Sequence, residues 1–557
     1  MKENKSSKIW LSGDADFIMT EIIKTNVVVI GGGAAGLRSA LEAAAQGREV
    51  LVLSKGVVGK SGITPLASFG ISAAVNNDDS IDRHLEESLR VAQGIGNPKL
   101  LQILAQESPA RLKDLVAYGL TFKMEDDGRF YHPVRAGKRD NHTCCINGGG
   151  FSLNQALRRA AEASPRIRIL NDTMALKIVK EDDQVVGLVV LDIASGKLAA
   201  VSAASVILAT GGYEELWHFT DTSTDSTGEG ICLAMDAGAD LVDLEMVLFY
   251  PLVMIHPPSA IGCSVPYDLA TNINARLLDG RMRDLSTKAL SPFDLIKTAY
   301  RAIRSGSATP NGGIYFKVEC EMPETQIIEI IKERMGVRFT HLQKMGISLH
   351  RDRIEMSPAS HYCLGGVQID EDGRTNIKGL FATGEVSGNI HGAGRVFSNA
   401  LAETQVFGYR AGRAVTSNAR NGDFSEPLAK VEKEIQEVCS GFKSPAAIRS
   451  DLKMIMWTLA GPVRHGDLMT EALNRIIELS HNNMRVKRDT FCQQLVAALE
   501  VKAMIRLAEA VVRSGLERTE SRGHHFRDDY PQMDDGWRAH TRVRILKDEM
   551  IIDKIPA

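Results

Sequence analysis

No C-x-x-C pair occurs among the eight cysteines of this 557-residue chain, which stand at 144, 145, 232, 263, 320, 363, 439 and 492. Only Cys144 and Cys145 are neighbours. An iron–sulfur cluster or structural zinc held by this chain alone is therefore not expected, and reduced thiols are. An excess of one charge is missing too. The 66 basic and 69 acidic residues leave a formal net charge of −3, which gives no field to draw nucleic acid or an anionic membrane. No apolar run is long enough to span a bilayer. Residues Met1 to Gly13 are polar and lack the apolar core of a signal peptide, so a cytoplasmic location is expected. What remains is an ordinary globular composition, 44% hydrophobic and 24% charged. At this length it predicts roughly three or four domains.

The most informative stretch lies near the N-terminus. Val27-Val28-Val29-Ile30 is an apolar strand that runs into glycines at 31, 33 and 36. This is the G-x-G-x-x-G pattern of a dinucleotide-binding βαβ unit. Gly31 permits the tight turn, Gly33 lets backbone approach a pyrophosphate, and Gly36 lets the helix sit close to the strand. Ala34 and Ala35 open a helix whose N-terminus offers free N–H groups and a positive dipole end to phosphate. The helix is predicted to reach Gln46 with Gly47 as its C-cap, and Glu49–Leu53 is the second strand. That strand ends Ser54-Lys55-Gly56, without the acidic residue that usually holds an NAD ribose. The pattern therefore favours a larger flavin nucleotide over plain NAD.

Six segments follow one another along the chain. Residues 1–24 are a polar lead-in. Residues 25–245 start with the βαβ unit and include the strand Val206-Ile207-Leu208 before Ala209-Thr210-Gly211-Gly212. Residues 246–350 lack the strand–Gly–helix pattern and look inserted. Residues 351–425 return to the first style with Gly379-Leu380-Phe381-Ala382-Thr383-Gly384-Glu385, a strand that delivers glycine and a carboxylate where open α/β sheets bind ligands. Residues 426–515 are poor in Gly and Pro and carry helical periodicity, as in Leu468-Met469-Ala472-Leu473-Ile476-Ile477-Leu479. The tail, 516–557, is polar and reads as irregular.

Eight motifs, in one order, resemble the flavoprotein subunits of succinate dehydrogenase and fumarate reductase together with L-aspartate oxidase. They are Gly31–Gly36, Ser54-Lys55, Ala209–Gly212, Thr227-Gly228-Glu229-Gly230, Ser360-His361-Tyr362-x-Leu364-Gly365-Gly366, Gly379–Glu385, His391-Gly392-Ala393-Gly394-Arg395-x-x-x-Asn399-Ala400-Leu401, and Ser521-Arg522-Gly523-His524-His525-x-Arg527-x-Asp529-Tyr530-Pro531. They cover about residues 25–535. The resemblance implies an α/β fold with a Rossmann-like FAD-binding domain, an inserted α+β capping domain at 246–350 and a C-terminal helical domain. It implies FAD as cofactor. Lys60, Ser61 and Gly62 through Gly70 would run along the flavin, where small residues allow close approach. Glu229 and Glu385 suit ribose or ribityl hydroxyls. Gly62-Ile63-Thr64-Pro65 holds no histidine where membrane-bound members of the family attach FAD, so non-covalent FAD is implied.

In the dicarboxylate enzymes of this family, two histidines and two arginines hold the substrate and move its proton. His361 and Arg395 match two of the four positions, and an arginine fork beside an imidazole is a good carboxylate clamp. The other two positions depart from the pattern. The family's Q-F-H-P-T-G reads Leu248-Phe249-Tyr250-Pro251-Leu252-Val253 here, so Tyr250 replaces a histidine. Its K-D-L-A-S-R-D reads Lys288-Ala289-Leu290-Ser291-Pro292-Phe293-Asp294, so Phe293 stands where the proton-shuttle arginine should be. Phenylalanine carries no proton. Tyr250 is either a proton donor or pocket packing, and Arg276, Arg281, Arg283 and Arg301 are candidate replacement cations.

These departures imply a small organic substrate with one anionic group and an apolar or aromatic remainder, rather than succinate, fumarate or aspartate. Three further readings stay open: a fumarate reductase or succinate dehydrogenase flavoprotein with a rearranged proton path, a flavin-binding electron-transfer component without a substrate, and, more distantly, an adenylylsulfate reductase flavoprotein. Partners in this family include an iron–sulfur electron-transfer subunit, whereas aspartate oxidase works alone. The sequence does not choose between the two.

Overall fold

The computed structural model describes residues 22–135, 138–139, 142–285, 291–416, 422–487 and 492–557. Most of the polar lead-in and the flank Lys288–Leu290 lie outside them; Ile22–Lys24 is a short strand. The centre of the molecule is a five-stranded parallel sheet. Its order is Leu380–Ala382, Ser205–Leu208, Val27–Ile30, Val50–Leu53, Ile167–Leu170. The first four strands are buried along their whole length, which explains why each reads as an unbroken apolar run. The helix Ala34–Ala45 packs on this sheet and against the helix Asn399–Ala414. Its alanines and Gly36 let it lie close. A Cβ on Gly36 would stand 2.0 Å from the Gly31 carbonyl oxygen, and one on Gly31 (φ +118°) would stand 2.1 Å from the Ala209 carbonyl oxygen.

A second core lies between Leu252 and Met356 and includes Ile273, Phe316, Ile331 and Leu342. It is built on a sheet ordered Val247–His256, Ile354–Cys363, Ile314–Val318, Ala275–Leu278, with helices against it. The first two strands of that sheet lead into and out of this unit. They pair antiparallel, with Phe249 opposite Ser360 and Tyr250 opposite Ala359. Four helices follow, Ser425–Val438, Pro445–Leu459, Gly466–Ser480 and Gln493–Glu517.

The tail corrects the expectation of irregular structure. Ala539–Leu546 and Glu549–Pro556 form a hairpin that joins Leu241–Val242 and Gly366–Val367 in one sheet. Lys547 and Asp548 both have positive φ, as a two-residue hairpin turn requires. The strands are rich in charge because their arginines pair across the hairpin, Arg542 and Arg544 with Asp553. Arg542-Val543-Arg544-Ile545 keeps the alternation of a half-buried strand, whereas Glu549–Pro556 does not.

Candidate functional site

At the C-terminal ends of the parallel strands a cavity of ≈ 1110 Å³ opens. Its walls include Gly31, Gly33, Ala34, Ala35, Ser54, Lys55, Ser61, Gly62, Gly70, Gly211, Glu229, Glu385, Ala400 and Leu401, and on the capping side Tyr250, His361 and Arg395. One continuous space thus joins the glycine turn to the carboxylate clamp expected from the sequence.

The strand Val27–Ile30 ends at Gly31, and the helix that follows begins after Gly33 with no side chain capping it. Its first N–H groups are available to an anion, apart from that of Ala34, which donates to Thr64 Oγ1 at 3.1 Å. A Cβ on Gly33 would meet only Thr64 Oγ1, at 3.2 Å, so the glycine opens onto the cavity rather than onto packed protein. Thr210 and Thr383 line the same space, and both hydroxyl oxygens are buried without a hydrogen-bond partner. A glycine cradle, an uncapped helix end and orphaned hydroxyls along an elongated cavity fit a dinucleotide such as FAD.

Lys55 donates to Glu229 and to Glu500, the latter at 2.6 Å. Burial pulls its pKa down, but those two carboxylates outweigh it and hold the ammonium above its usual range. Glu229 also accepts from Thr227 Oγ1 at 2.6 Å. Glu385 accepts from the Cys363 N–H at 2.9 Å and lies against Glu214, whose side chain is fully buried. Burial first, then the Glu214 carboxylate, push Glu385 well above the normal carboxyl range, which favours its protonated form. Glu214, Cys363 and Glu385 are the one group among the described residues whose ligand atoms lie close enough to hold a metal ion.

Three residues expected at the cofactor do not line the cavity. Lys60 is exposed at its edge. Gly36 acts through packing. Asn399 turns away: its Oδ1 accepts from His84 Nε2 at 2.8 Å and its Nδ2 donates to Ser88 Oγ at 3.2 Å. It ties the Asn399–Ala414 helix to the Ile81–Ala92 helix instead.

The substrate clamp is built by the paired strands that enter and leave the capping unit. They bring the Tyr250 and His361 rings to a centroid distance of 5.2 Å. His361 Nδ1 lies 2.9 Å from Asp221 Oδ1, and Asp221 is nearly fully buried. That contact fixes a proton on Nδ1 and leaves Nε2 as the other face of the ring. Arg395 lies over the Tyr362 ring at 4.3 Å and donates to the Val396 carbonyl at 3.1 Å. Its Nε is buried without a hydrogen-bond partner, and among the described residues no carboxylate pairs with it. Tyr362 is engaged elsewhere and donates to Glu403 at 2.6 Å.

Phe293 is not a cavity wall. It packs on His524, with ring centroids 4.7 Å apart, at the start of the Pro292–Ala302 helix. The candidate replacement arginines are also elsewhere. Arg276 pairs with Asp284 and Glu319, Arg283 with Asp279, Arg301 with Asp528, and Arg281 donates to the Gly306 carbonyl. The cation that the capping unit does bring to the cavity is Arg338, bonded to Ser264 and Ser68. Sequence reasoning does not find Asp221 or Arg338 as site residues, because each is brought in by a contact distant in sequence.

Residues 26–273 and 325–401 match the family described as FAD binding domain, and 449–555 match that described as fumarate reductase flavoprotein C-term. A fumarate reductase (CoM/CoB) polypeptide of Methanothermobacter marburgensis is 34% identical over 93% of this chain and 97% of its own. The L-aspartate oxidase of Vibrio cholerae is 29% identical over 91% and 96%. The solved structure of Mycobacterium smegmatis Sdh1 in complex with UQ1 superposes with a TM-score of 0.86 at 28% identity, covering 96% of this chain and 94% of that one.

Proposed function

The chain belongs to the FAD-dependent oxidoreductase family that holds the fumarate reductase and succinate dehydrogenase flavoproteins and the L-aspartate oxidases, and from that premise we propose that it acts on a small organic substrate bearing one anionic group, not a dicarboxylate. FAD, when bound, supplies the hydride chemistry. The residues that would hold it are the Gly31–Ala35 turn, Ser54, Lys55, Thr210, Gly211, Glu229, Thr383, Glu385 and Ala400-Leu401. The absence of a histidine in Gly62-Ile63-Thr64-Pro65 supports a non-covalent bond to it.

The observation that carries the reading is Arg395. A guanidinium that lines the cavity without a carboxylate partner is paired by an incoming anion, which replaces the water it loses. His361, oriented by Asp221, stands ready to contact the substrate or to move its proton. Phe293, where the resemblance implies a proton-shuttle arginine, supports a substrate without a second carboxylate. Arg395→Ala is expected to keep FAD bound and to lower kcat/KM by at least about tenfold, as loss of a charge-assisted contact implies. Full activity in that variant would return Arg395 to a purely structural role.

A second reading is favoured by the presence of a fumarate reductase polypeptide in the set of relatives. In it this chain reduces fumarate, or oxidises succinate, by a different proton path and passes electrons through an iron–sulfur partner. Turnover of those two acids separates the readings.

A further inference from the structure

Lys55 stands two residues beyond the strand Val50–Leu53, where a dinucleotide-binding βαβ unit usually presents an acceptor to the adenosine ribose. An ammonium has three donors and no acceptor. All three are engaged: with Glu229, with Glu500 at 2.6 Å and with Thr227 Oγ1 at 3.2 Å. Lys55 thus lines the cavity with its protons already committed to protein. The acceptor at this place is Glu229, the first residue of the helix Glu229–Asp236. Its Oε1 receives Lys55 and its Oε2 receives Thr227 Oγ1 at 2.6 Å, which leaves a lone pair on each oxygen for a hydroxyl.

Glu500 is buried on the helix Gln493–Glu517 and is not a cavity wall. It also accepts from Arg449 Nη1 at 3.3 Å. Arg449 turns Nη2 to Glu215 at 2.9 Å, and Lys453 meets the same Glu215 oxygen at 2.8 Å. Three cations and three carboxylates therefore form one chain of pairs that runs from the cavity wall into the helices Pro445–Leu459 and Gln493–Glu517. Loss of the Glu500 charge takes a partner from both Lys55 and Arg449. Lys55 is then held from the Glu229 side alone.

We infer that Glu500 is a positioning residue for the cofactor. From the helical domain it holds Lys55, and through Lys55 the Glu229 carboxylate, in place for the adenosine half of FAD. FAD affinity then depends on a side chain that does not line the FAD cavity. The inference concerns the cofactor alone and is independent of which substrate the enzyme takes.

A double-mutant cycle on the full-length, FAD-loaded protein tests it, with the FAD dissociation constant read from the fluorescence of flavin released on dilution. Glu500→Gln keeps the shape of the side chain and removes its charge. It is expected to weaken FAD at least about tenfold, as loss of a charge-assisted hydrogen bond implies. The absorption bands of the flavin that stays bound are expected to keep their wild-type positions, because adenosine and isoalloxazine are opposite ends of FAD. Lys55→Met is expected to weaken FAD at least as much, and adding Glu500→Gln to it is expected to change the affinity by less than about twofold. Unchanged or tighter FAD binding in Glu500→Gln overturns the inference, even with a lowered melting midpoint, since Glu500 is then a structural ion-pair partner only. A fully additive loss in the double variant also overturns it, as does a shift of the bound flavin's bands in Glu500→Gln. If Lys55→Met does not fold, Glu229→Gln takes its place in the cycle, with the same expectation and the same overturning results.

Discussion

Arg395 and His361 differ in what the fold has already done for them. His361 is oriented, with Nδ1 at 2.9 Å from the buried Asp221, whereas the Arg395 Nε still lacks a partner. Asp221 is therefore a positioning residue. Asp221→Asn presents an amide in place of a carboxylate and allows the other imidazole tautomer. It is expected to lower kcat at least about tenfold with little change in KM, and to move the pH profile of kcat, by analogy with other oriented imidazoles. An effect confined to KM or to thermal stability would contradict that role. His361 and Arg395 were legible in the sequence because each sits in a glycine-flanked motif. Asp221 was not, because its contact with His361 spans 140 residues and nothing local marks it. Phe293 was legible as a departure, but its neighbour His524 required the fold, since the two rings meet from segments far apart in sequence.

The elements that could be read from sequence are those with local logic. The Val27–Ile30 strand, the Ala34–Ala45 helix and the Gly466–Ser480 helix follow from apolar runs, glycines and helical periodicity. The C-terminal hairpin was not legible, although Arg542-Val543-Arg544-Ile545 alternates, because its partner strand Glu549–Pro556 does not and its turn, Lys547-Asp548, lacks the glycine that usually marks one. The segment that leads to the hairpin is held by Arg518, whose side chain is fully buried. It donates to Glu245 at 2.7 Å, Glu520 at 3.1 Å and Asp243 at 3.2 Å, and to the carbonyls of Trp537 and Ala539. Removing it takes a shared cation from three buried carboxylates, although Glu520 keeps Arg522, Asp243 keeps His540 and Glu245 keeps Thr541. Arg518→Ala is expected to cost about 3–5 kcal/mol, which thermal melting checks as a lowered midpoint. An unchanged midpoint would mean that the carboxylates find other partners.

Across the whole molecule, the cofactor cavity is closed by parts far apart in sequence. The parallel sheet supplies its floor, the capping unit brings Arg338 and His341, and the helical domain reaches Lys55 through Glu500. Walls drawn from so many parts of the chain suit a cofactor held without a covalent bond. Acid precipitation of the pure protein is expected to leave the flavin in the supernatant, and yellow colour in the pellet would contradict this. The central claim is that this assembly does not process dicarboxylates by the route the family resemblance implies, because Tyr250 and Phe293 stand where a histidine and the proton-shuttle arginine are implied. General acid catalysis typically contributes about 10²–10⁴-fold, so its loss is large enough to see. The most direct test is steady-state turnover by the unmodified, FAD-loaded protein, with fumarate and reduced viologen in one direction and succinate and an artificial acceptor in the other. The account predicts no turnover at an enzymatic rate with either acid. Brisk fumarate reduction would contradict it and would make this chain a dicarboxylate reductase with a proton path of its own.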